Sequence, residues 1–281
     1  MISEKDRKRG DIEMRVEKKL KIGIIGVGTV GKAVKNWFEK KNYPIFLYDK
    51  YTKIGSTEEI NEADVVFICV PTPFNEEGNG YDDTAVIESL KILSGLKIVV
   101  IKSTILPGST DKFQKRFPQH NILFAPEFLR HETALKDFLH PDRQIVGYTT
   151  KSKRIAKKIL NILPKAPYQR IIPSEEAEMV KYFGNCFLAM RVIFAEQIYD
   201  ICQALDINYN LVKEVAGHDP RIGQSHLNVF PKGLRGYNGP CLPKDVKTLI
   251  QFAKSLKARS PLLEVIDKIN ENLRKNSQSQ R

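Results

Sequence analysis

Two rhythms of apolar residues divide the chain. Through its first half they fall in short runs, Lys21 to Ile25, Ile45 to Tyr48, Val65 to Val70, Ile98 to Ile101, Ile122 to Ala125 and Gln144 to Gly147, each closed by a loop of Gly, Pro, Ser or Thr. Runs this short and this rich in β-branched residues predict strands buried on both faces, as in a parallel sheet. Between them, amphipathic stretches predict helices to about Lys40, near Thr57 to Asn61, around Thr84 to Leu93 and from Lys151 to Ile162. Strand, loop and helix repeated in that order predict an α/β domain over residues 21–165 with a doubly wound parallel sheet.

The second rhythm starts beyond Pro164 to Pro173, a stretch with three prolines and no clear period that reads as a boundary. From Ser174, apolar residues recur at three and four, through Val180, Phe183, Phe187, Leu188, Val192, Phe194, Ile198, Ile201 and Leu205. One helix of roughly thirty residues is predicted, ~45 Å long at ~1.5 Å per residue. Its apolar positions cover more than one face, which is too many for the rim of a small domain. Helix 174–205 is therefore expected to carry a homodimer interface. Further helices from Ile207 to Val215, Val246 to Leu256 and Leu262 to Leu273 complete a smaller all-helical domain over residues 174–275, with a polar tail at 276–281. Residues 1–20 form a charged arm with a helix-compatible stretch from Asp11 to Leu20 and little apolar surface to bury.

Composition narrows the function. With 281 residues, 42% of them hydrophobic, the chain can fill one large core or two modest ones. The formal charge of +12 is scattered over Lys-rich helix faces rather than gathered into one stripe with interleaved aromatics. That argues against nucleic acid and for a small anionic substrate bearing phosphates. Cys69, Cys186, Cys202 and Cys241 form no CxxC pair, so neither a structural zinc nor a disulfide framework is indicated and a reducing, cytoplasmic setting fits. No apolar run is long enough to span a bilayer, and the first twenty residues lack the apolar core of a signal peptide. The histidines have no acidic partners at metal-ligand spacing, and no metal is predicted.

The first apolar run meets Gly26-Val27-Gly28-Thr29-Val30-Gly31, a GxGxxG between a strand and a helix. The first glycine permits the tight turn, the second lets backbone approach a pyrophosphate, and the third lets helix and strand pack closely. The next strand ends on Asp49, whose carboxylate suits ribose hydroxyls and would repel a 2′-phosphate, favouring NAD over NADP; Lys50 and Lys53 beside it soften that discrimination. The alternative is that Asp49 only starts a turn. Ligands of such a Rossmann domain sit beyond the carboxyl ends of the strands, so Val70-Pro71-Thr72, Ser103-Thr104 and Glu127 should open onto one crevice. Glu127 would serve as general base if desolvation raised it towards neutrality, with Thr104 positioning a water. Taken singly, each of these residues also has a structural reading.

The chemistry is placed at Gly236 to Asp245, where Cys241 stands between a Gly/Pro-rich loop and Lys244-Asp245 at a helix start. A helix dipole and an adjacent ammonium would favour the nucleophilic thiolate. The alternative is a small inert hydrophobe in a turn. Lys181 and Asn185 stand one helical turn apart, where an ammonium and an amide could jointly hold an oxyanion, unless they are a surface lysine and a packing-tolerant asparagine. Arg221 either clamps a phosphate or closes a loop salt bridge.

Together these motifs resemble the UDP-glucose and GDP-mannose dehydrogenase family, in order from residue 22 to about 262: Ile25 to Gly31, Val65 to Pro73, Lys102 to Gly108, Pro126 to Arg130, Lys181 to Asn185, Asp219 to Gly223 and Cys241 to Asp245. The resemblance implies oxidation of a nucleotide-sugar primary alcohol to the uronic acid in two NAD-dependent steps, in the setting of polysaccharide biosynthesis. By the same resemblance Cys241 would form a thiohemiacetal and then a thioester, with Lys181 and Asn185 stabilising the oxyanion. Glu127 and Thr104 would serve the hydrolytic water, and Asp245 would orient or accept from a water near the thiol. Glu127, Phe128, Leu129, Arg130, Lys181, Asn185, Arg221, Tyr237 and Gly239 would contact substrate, Arg221 from a dimer mate. His131 and Glu132 stand where the family reads Glu-Gly, and the loop from Asn228 to Asn238 is longer and carries Lys232 and Arg235. Beyond Asp245 only residues 246–281 follow, so the further nucleotide-gripping domain of the family is expected to be lacking, with Lys232, Arg235 and Arg221 or a partner chain supplying phosphate contacts. Two other functions fit the same motifs: a catalytically silent NAD-binding homologue or subunit of a split enzyme, and a 3-hydroxyacid dehydrogenase using Lys181 and Asn185 for a single hydride transfer.

Overall fold

A computed structural model describes residues 19–77, 80–230 and 233–279. The predicted arm therefore lies outside the described residues except for Lys19 and Leu20, and so does Lys232. The elements run β1 (Ile22–Ile25), α1 (Thr29–Lys40), β2 (Ile45–Tyr48), α2 (Thr57–Ile60), β3 (Val65–Ile68), a hairpin of β4 (Phe74–Asn75) and β5 (Gly80–Tyr81), α3 (Thr84–Lys91), β6 (Ile98–Ile101), α4 (Ser109–Arg116), β7 (Asn121–Phe124), α5 (Ala134–Leu139), β8 (Arg143–Tyr148), α6 (Ala156–Ile162) and β9 (Tyr168–Pro173). The helices α7 (Ser174–Ala204), α8 (Tyr209–Gly217), α9 (Leu242–Ser255) and α10 (Pro261–Ser279) follow.

The main sheet has the order β2-β1-β3-β6-β7-β8-β9. Its inner strands bury both faces, with successive side chains entering opposite cores. In β3, Val66 and Ile68 enter one core with Ile101 and Phe124, while Val65 and Phe67 enter the other with Val34, Val100 and Leu123. A helix layer on each face is the only way to keep so apolar a ribbon dry.

Two expectations about the sheet need correction. It is mixed rather than wholly parallel, because β8 runs antiparallel to β7, pairing Leu123 with Tyr148. The proline-marked stretch is also not a simple boundary. Its second half is β9, which pairs in parallel with β8 from Arg143↔Tyr168 to Tyr148↔Pro173. Prolines mask it because Pro173 lies at the strand end and β9 is the edge strand, where a missing N–H costs no ladder bond.

The helix α7 begins at the residue after β9 and runs for 31 residues, with Glu175 and Glu176 in its first turn facing the helix dipole. Its inner side forms a second core, in which Cys186, Ala189 and Ile193 meet Val246 and Ile250 of α9 and Ile266 of α10. The expected polar tail is helical through Ser279, as part of α10. Among the described residues, no helix is long and apolar enough to cross a membrane.

Candidate active site

Two clefts open at the carboxyl ends of the strands. The smaller, about 360 Å³, is lined by Gly26, Asp49, Val70 and Pro71 beyond β1, β2 and β3, and by Ala85, Glu88 and Ser89 of α3. The larger, about 880 Å³, lies between Lys102 and Pro126 to Arg130 beyond β6 and β7, the start of β8, and Val180, Phe183, Gly184, Phe187 and Leu188 of α7.

The glycine turn explains the first cleft. Gly26 has φ +87°, and a Cβ there would stand 2.7 Å from the Cys69 carbonyl oxygen; a Cβ on Gly31 would fall 1.9 Å from the carbonyl oxygen of Gly26. Gly28 has no atom within 4 Å of the corresponding point. The turn is shut at its first and third glycines and open at its second, at the head of α1 where Thr29 is exposed and Val30 half-buried. An opening of that form beside a carboxylate fits the pyrophosphate and ribose of a dinucleotide. Asp49 supplies the carboxylate and also fastens the turn, accepting from the Val27 N–H at 2.8 Å and from the N–H groups of Tyr51 and Thr52 at 3.0 Å. Partial burial works against its charged form, yet those N–H donors hold it below the usual carboxylate range. Ser103 and Thr72 act as loop fasteners, donating to the carbonyls of Val70 and Thr104, both at 2.6 Å. Lys53 occupies an exposed turn at φ +54°, outside the lining of this cleft.

Beside the second cleft, whose lining includes Glu127, α7 and the start of α9 bring a set of charged and polar side chains together. Lys181, 5% exposed, places its ammonium 2.7 Å from the Glu127 carboxylate and 2.8 Å from the Glu127 carbonyl oxygen. Glu127 also accepts from the Leu129 N–H at 2.8 Å. Its expected rise towards neutrality is therefore reversed: burial pushes it up, but Lys181 and the Leu129 N–H outweigh burial and hold it below its ordinary value. One turn along α7, the Asn185 amide donates to Asp245, which is 1% exposed and bound on its other oxygen by Lys244. Lys181 and Asn185 thus share a face but answer to different carboxylates.

Cys241 is exposed at the N-cap of α9, and Asp245 donates its backbone N–H back to the Cys241 carbonyl at 2.9 Å. Its environment corrects the thiolate expectation. Partial dehydration and then the Glu127 carboxylate push the thiol above its ordinary value, against the pull of Lys181, because Lys244 is committed to Asp245. The thiol nonetheless lies within the electrostatic reach of Glu127, Lys181, Asp245 and Lys244 together.

Of the remaining residues, Phe128, Leu129 and Arg130 line the larger cleft with Glu127. Arg130 is held by Asp137, whose carboxyl its guanidinium keeps far below the usual range. Gly239 is exposed at φ +85° with open space around it. Three candidates are not brought to the site within one chain. Arg221 is exposed and paired with Asp219, outside both clefts. Tyr237 is 2% exposed, packed in the second core with its hydroxyl on Asp267, because the loop folds under α10 instead of over the cleft. Arg235, expected to be available for phosphate, is locked onto buried Glu196 and onto Asp200.

Besides Glu196, two further buried charges escaped the reading of the sequence. Lys102, 2% exposed, lines the larger cleft and donates to the Ala125 carbonyl at 2.8 Å; desolvation brings it down to about 8. Glu178 is fully buried in α7 and caps the start of α4 by accepting from the N–H groups of Gly108 and Thr110. Desolvation pushes it up to about 7. The available signal was a lysine closing an apolar strand and a glutamate on an inward helical position.

Residues 50–163 match the sequence profile of the UDP-glucose/GDP-mannose dehydrogenase family, NAD binding domain, and residues 175–272 that of the same family's central domain. A UDP-glucose 6-dehydrogenase of Campylobacter jejuni is 33% identical over 290 residues, covering 90% of this chain and 72% of that protein. One of Rhizobium meliloti is 31% identical over 240 residues, covering 78% of this chain and 54% of that protein. The chain thus spans about half the length of the Rhizobium relative. Among solved structures, a UDP-glucose dehydrogenase of the hyperthermophilic archaeon Pyrobaculum islandicum superposes with a TM-score of 0.81 at 26% identity, over 92% of this chain and 69% of that one.

Proposed function

The chain belongs to the UDP-glucose/GDP-mannose dehydrogenase family, and from that premise we propose that it oxidises the primary alcohol of a UDP-glucose-like nucleotide sugar to the uronic acid through Cys241. The observation that carries this reading is the convergence of an exposed thiol with the Lys181–Glu127 and Asn185–Asp245 pairs at the mouth of α9. NAD, when bound, supplies the hydride acceptor; the glycine turn and Asp49 would hold it.

This chain's residues then have separable tasks. Cys241 adds to the aldehyde carbon of the half-oxidised sugar and holds it as a thiohemiacetal, later as a thioester. The oxyanion formed at that carbon meets the ammonium of Lys181 and the amide of Asn185, donors that partner carboxylates already hold in place. Glu127, kept ionised by Lys181, is the proton acceptor for the water that cleaves the thioester, with Thr104 beside its path. Asp245, one turn after Cys241, orients or accepts from a water near the thiol. Exposed Phe194 and Ile201 on α7 and Leu205 at its C-cap, continued by Leu211 and Val215 on α8, support a homodimer along the long helix.

The test is incubation of the chain with NAD and a panel of nucleotide sugars, following NADH and the intact mass. NADH formation, with a sugar adduct on Cys241 that Cys241→Ser abolishes, is the expected result. Absence of NADH with every nucleotide sugar overturns the reading.

A further inference from the structure

Among the cations that line the larger cleft, Arg143 is one that no acidic side chain among the described residues holds. Arg143, at the first position of β8, is exposed and lays its guanidinium 3.9 Å from the centroid of the Phe128 ring. Among the described residues, no hydrogen bond or ion pair reaches it. The carboxylates lining the same cleft are engaged elsewhere: Glu127 binds Lys181, Asp137 binds Arg130, and Asp142 acts on Arg130. A guanidinium stacked on a ring keeps its in-plane N–H donors pointing outward, the arrangement that meets oxyanions in a fork.

Across from it, Gly184 interrupts α7 between Phe183 and Asn185. A glycine inside a helix costs about 1 kcal/mol relative to alanine. No neighbouring atom demands it, since the one atom within 4 Å of an added Cβ is an Arg143 guanidinium nitrogen at 3.8 Å, an ordinary contact. The missing methyl instead leaves a notch in the cleft wall, opposite unpaired N–H donors and one residue from Asn185.

We propose that Arg143, held over the Phe128 ring and facing the Gly184 notch, receives the diphosphate of the nucleotide substrate. This inference rests on the nucleotide-sugar reading of the same cleft. It supplies from within the chain the cation that Arg235, bound to Glu196, does not supply. The neighbouring exposed rings of Tyr168 and Phe183 continue the cleft outward, where a nucleoside attached to that diphosphate would lie.

Titration calorimetry of the full chain with UDP, uridine and inorganic pyrophosphate tests it. Arg143→Met should weaken UDP and pyrophosphate by about 10-fold or more, the worth of hydrogen bonds to a charged group. Uridine and NAD should be unchanged, and Arg143→Lys should recover part of the loss. Gly184→Ala should weaken UDP without lowering the melting temperature. The inference falls if Arg143→Met leaves UDP affinity within twofold, if uridine weakens in parallel, or if the wild-type chain binds none of the three probes. Its failure is distinguishable from failure of the function. If wild type forms NADH from a nucleotide sugar and Arg143→Met has the same KM, the anion subsite is wrong and the enzyme stands. If wild type forms no NADH yet binds UDP through Arg143, the subsite stands and the oxidation does not.

Discussion

The glycine turn and the thiol site are built on opposite principles. In the turn, the parts lie close together in the chain: β1, Gly26 to Gly31 and the head of α1 are continuous, and backbone contacts do most of the work. At the thiol, each pair is assembled from distant segments: Lys181 on α7 with Glu127 beyond β7, Asn185 on α7 with Asp245 on α9. Local geometry thus makes a binding turn, whereas buried charges must find one another across the fold before they can be useful.

That contrast is sharpest in what each region loses when one member is removed. Glu127→Leu would leave the Lys181 ammonium buried without its counter-charge, and a loss of about 3–5 kcal/mol is expected in chemical denaturation. The double variant with Lys181→Met should regain most of it. If Glu127→Leu costs less than about 1 kcal/mol, the pair does not organise the cleft.

Glu178 gives the next largest effect, through pH. Its folded-state value near 7 lies above the ordinary 4.5, so between those values the folded chain keeps a proton that the unfolded chain has lost. Stability from this group is full below pH 4.5 and is lost as pH rises through 7, by about 3 kcal/mol. Denaturation midpoints measured from pH 4.5 to 8 should show that fall, and Glu178→Gln should flatten it.

The glycine turn should respond least and most locally. Gly31→Ala drives a methyl into the Gly26 carbonyl and should cost about 1–3 kcal/mol, as overpacking does. Gly28→Ala meets no atom of the protein and should leave the melting temperature unchanged while weakening NAD binding. Equal thermal losses in the two variants would remove the distinction between a shut and an open glycine.

The same contrast explains how much could be read from the sequence. The strands Ile45–Tyr48 and Ile98–Ile101 lie at their expected bounds because short apolar runs closed by polar loops have one way to be buried. The edge strand β9 was hidden because its prolines and half-exposed side chains dilute the apolar signal. Helices α4 and α5 have too few turns to show a period. At the site, Cys241, Glu127, Lys181, Asn185 and Asp245 were legible as residues, but their partners were not. Spacing along a helix says that Lys181 and Asn185 share a face; it does not say that each is already claimed by a carboxylate. Tyr237 and Arg235 were misplaced for a related reason, since a Gly-rich loop reads as exposed even when it folds under a helix and hands its side chains to Asp267 and Glu196.

No linker separates β9 from α7: Pro173 ends the strand and Ser174 starts the helix. The sheet edge and the long helix are therefore joined directly, like the two arms of a crank. Along 31 residues, a tilt of about 3° at Ser174 would swing the far end by about 2 Å, given ~1.5 Å of rise per residue. Lys181 and Asn185, nearer the pivot, would move by about 0.5 Å and about 0.9 Å on the same rise per residue, so the face they share shifts less than half as far as whatever is fastened to the distal end.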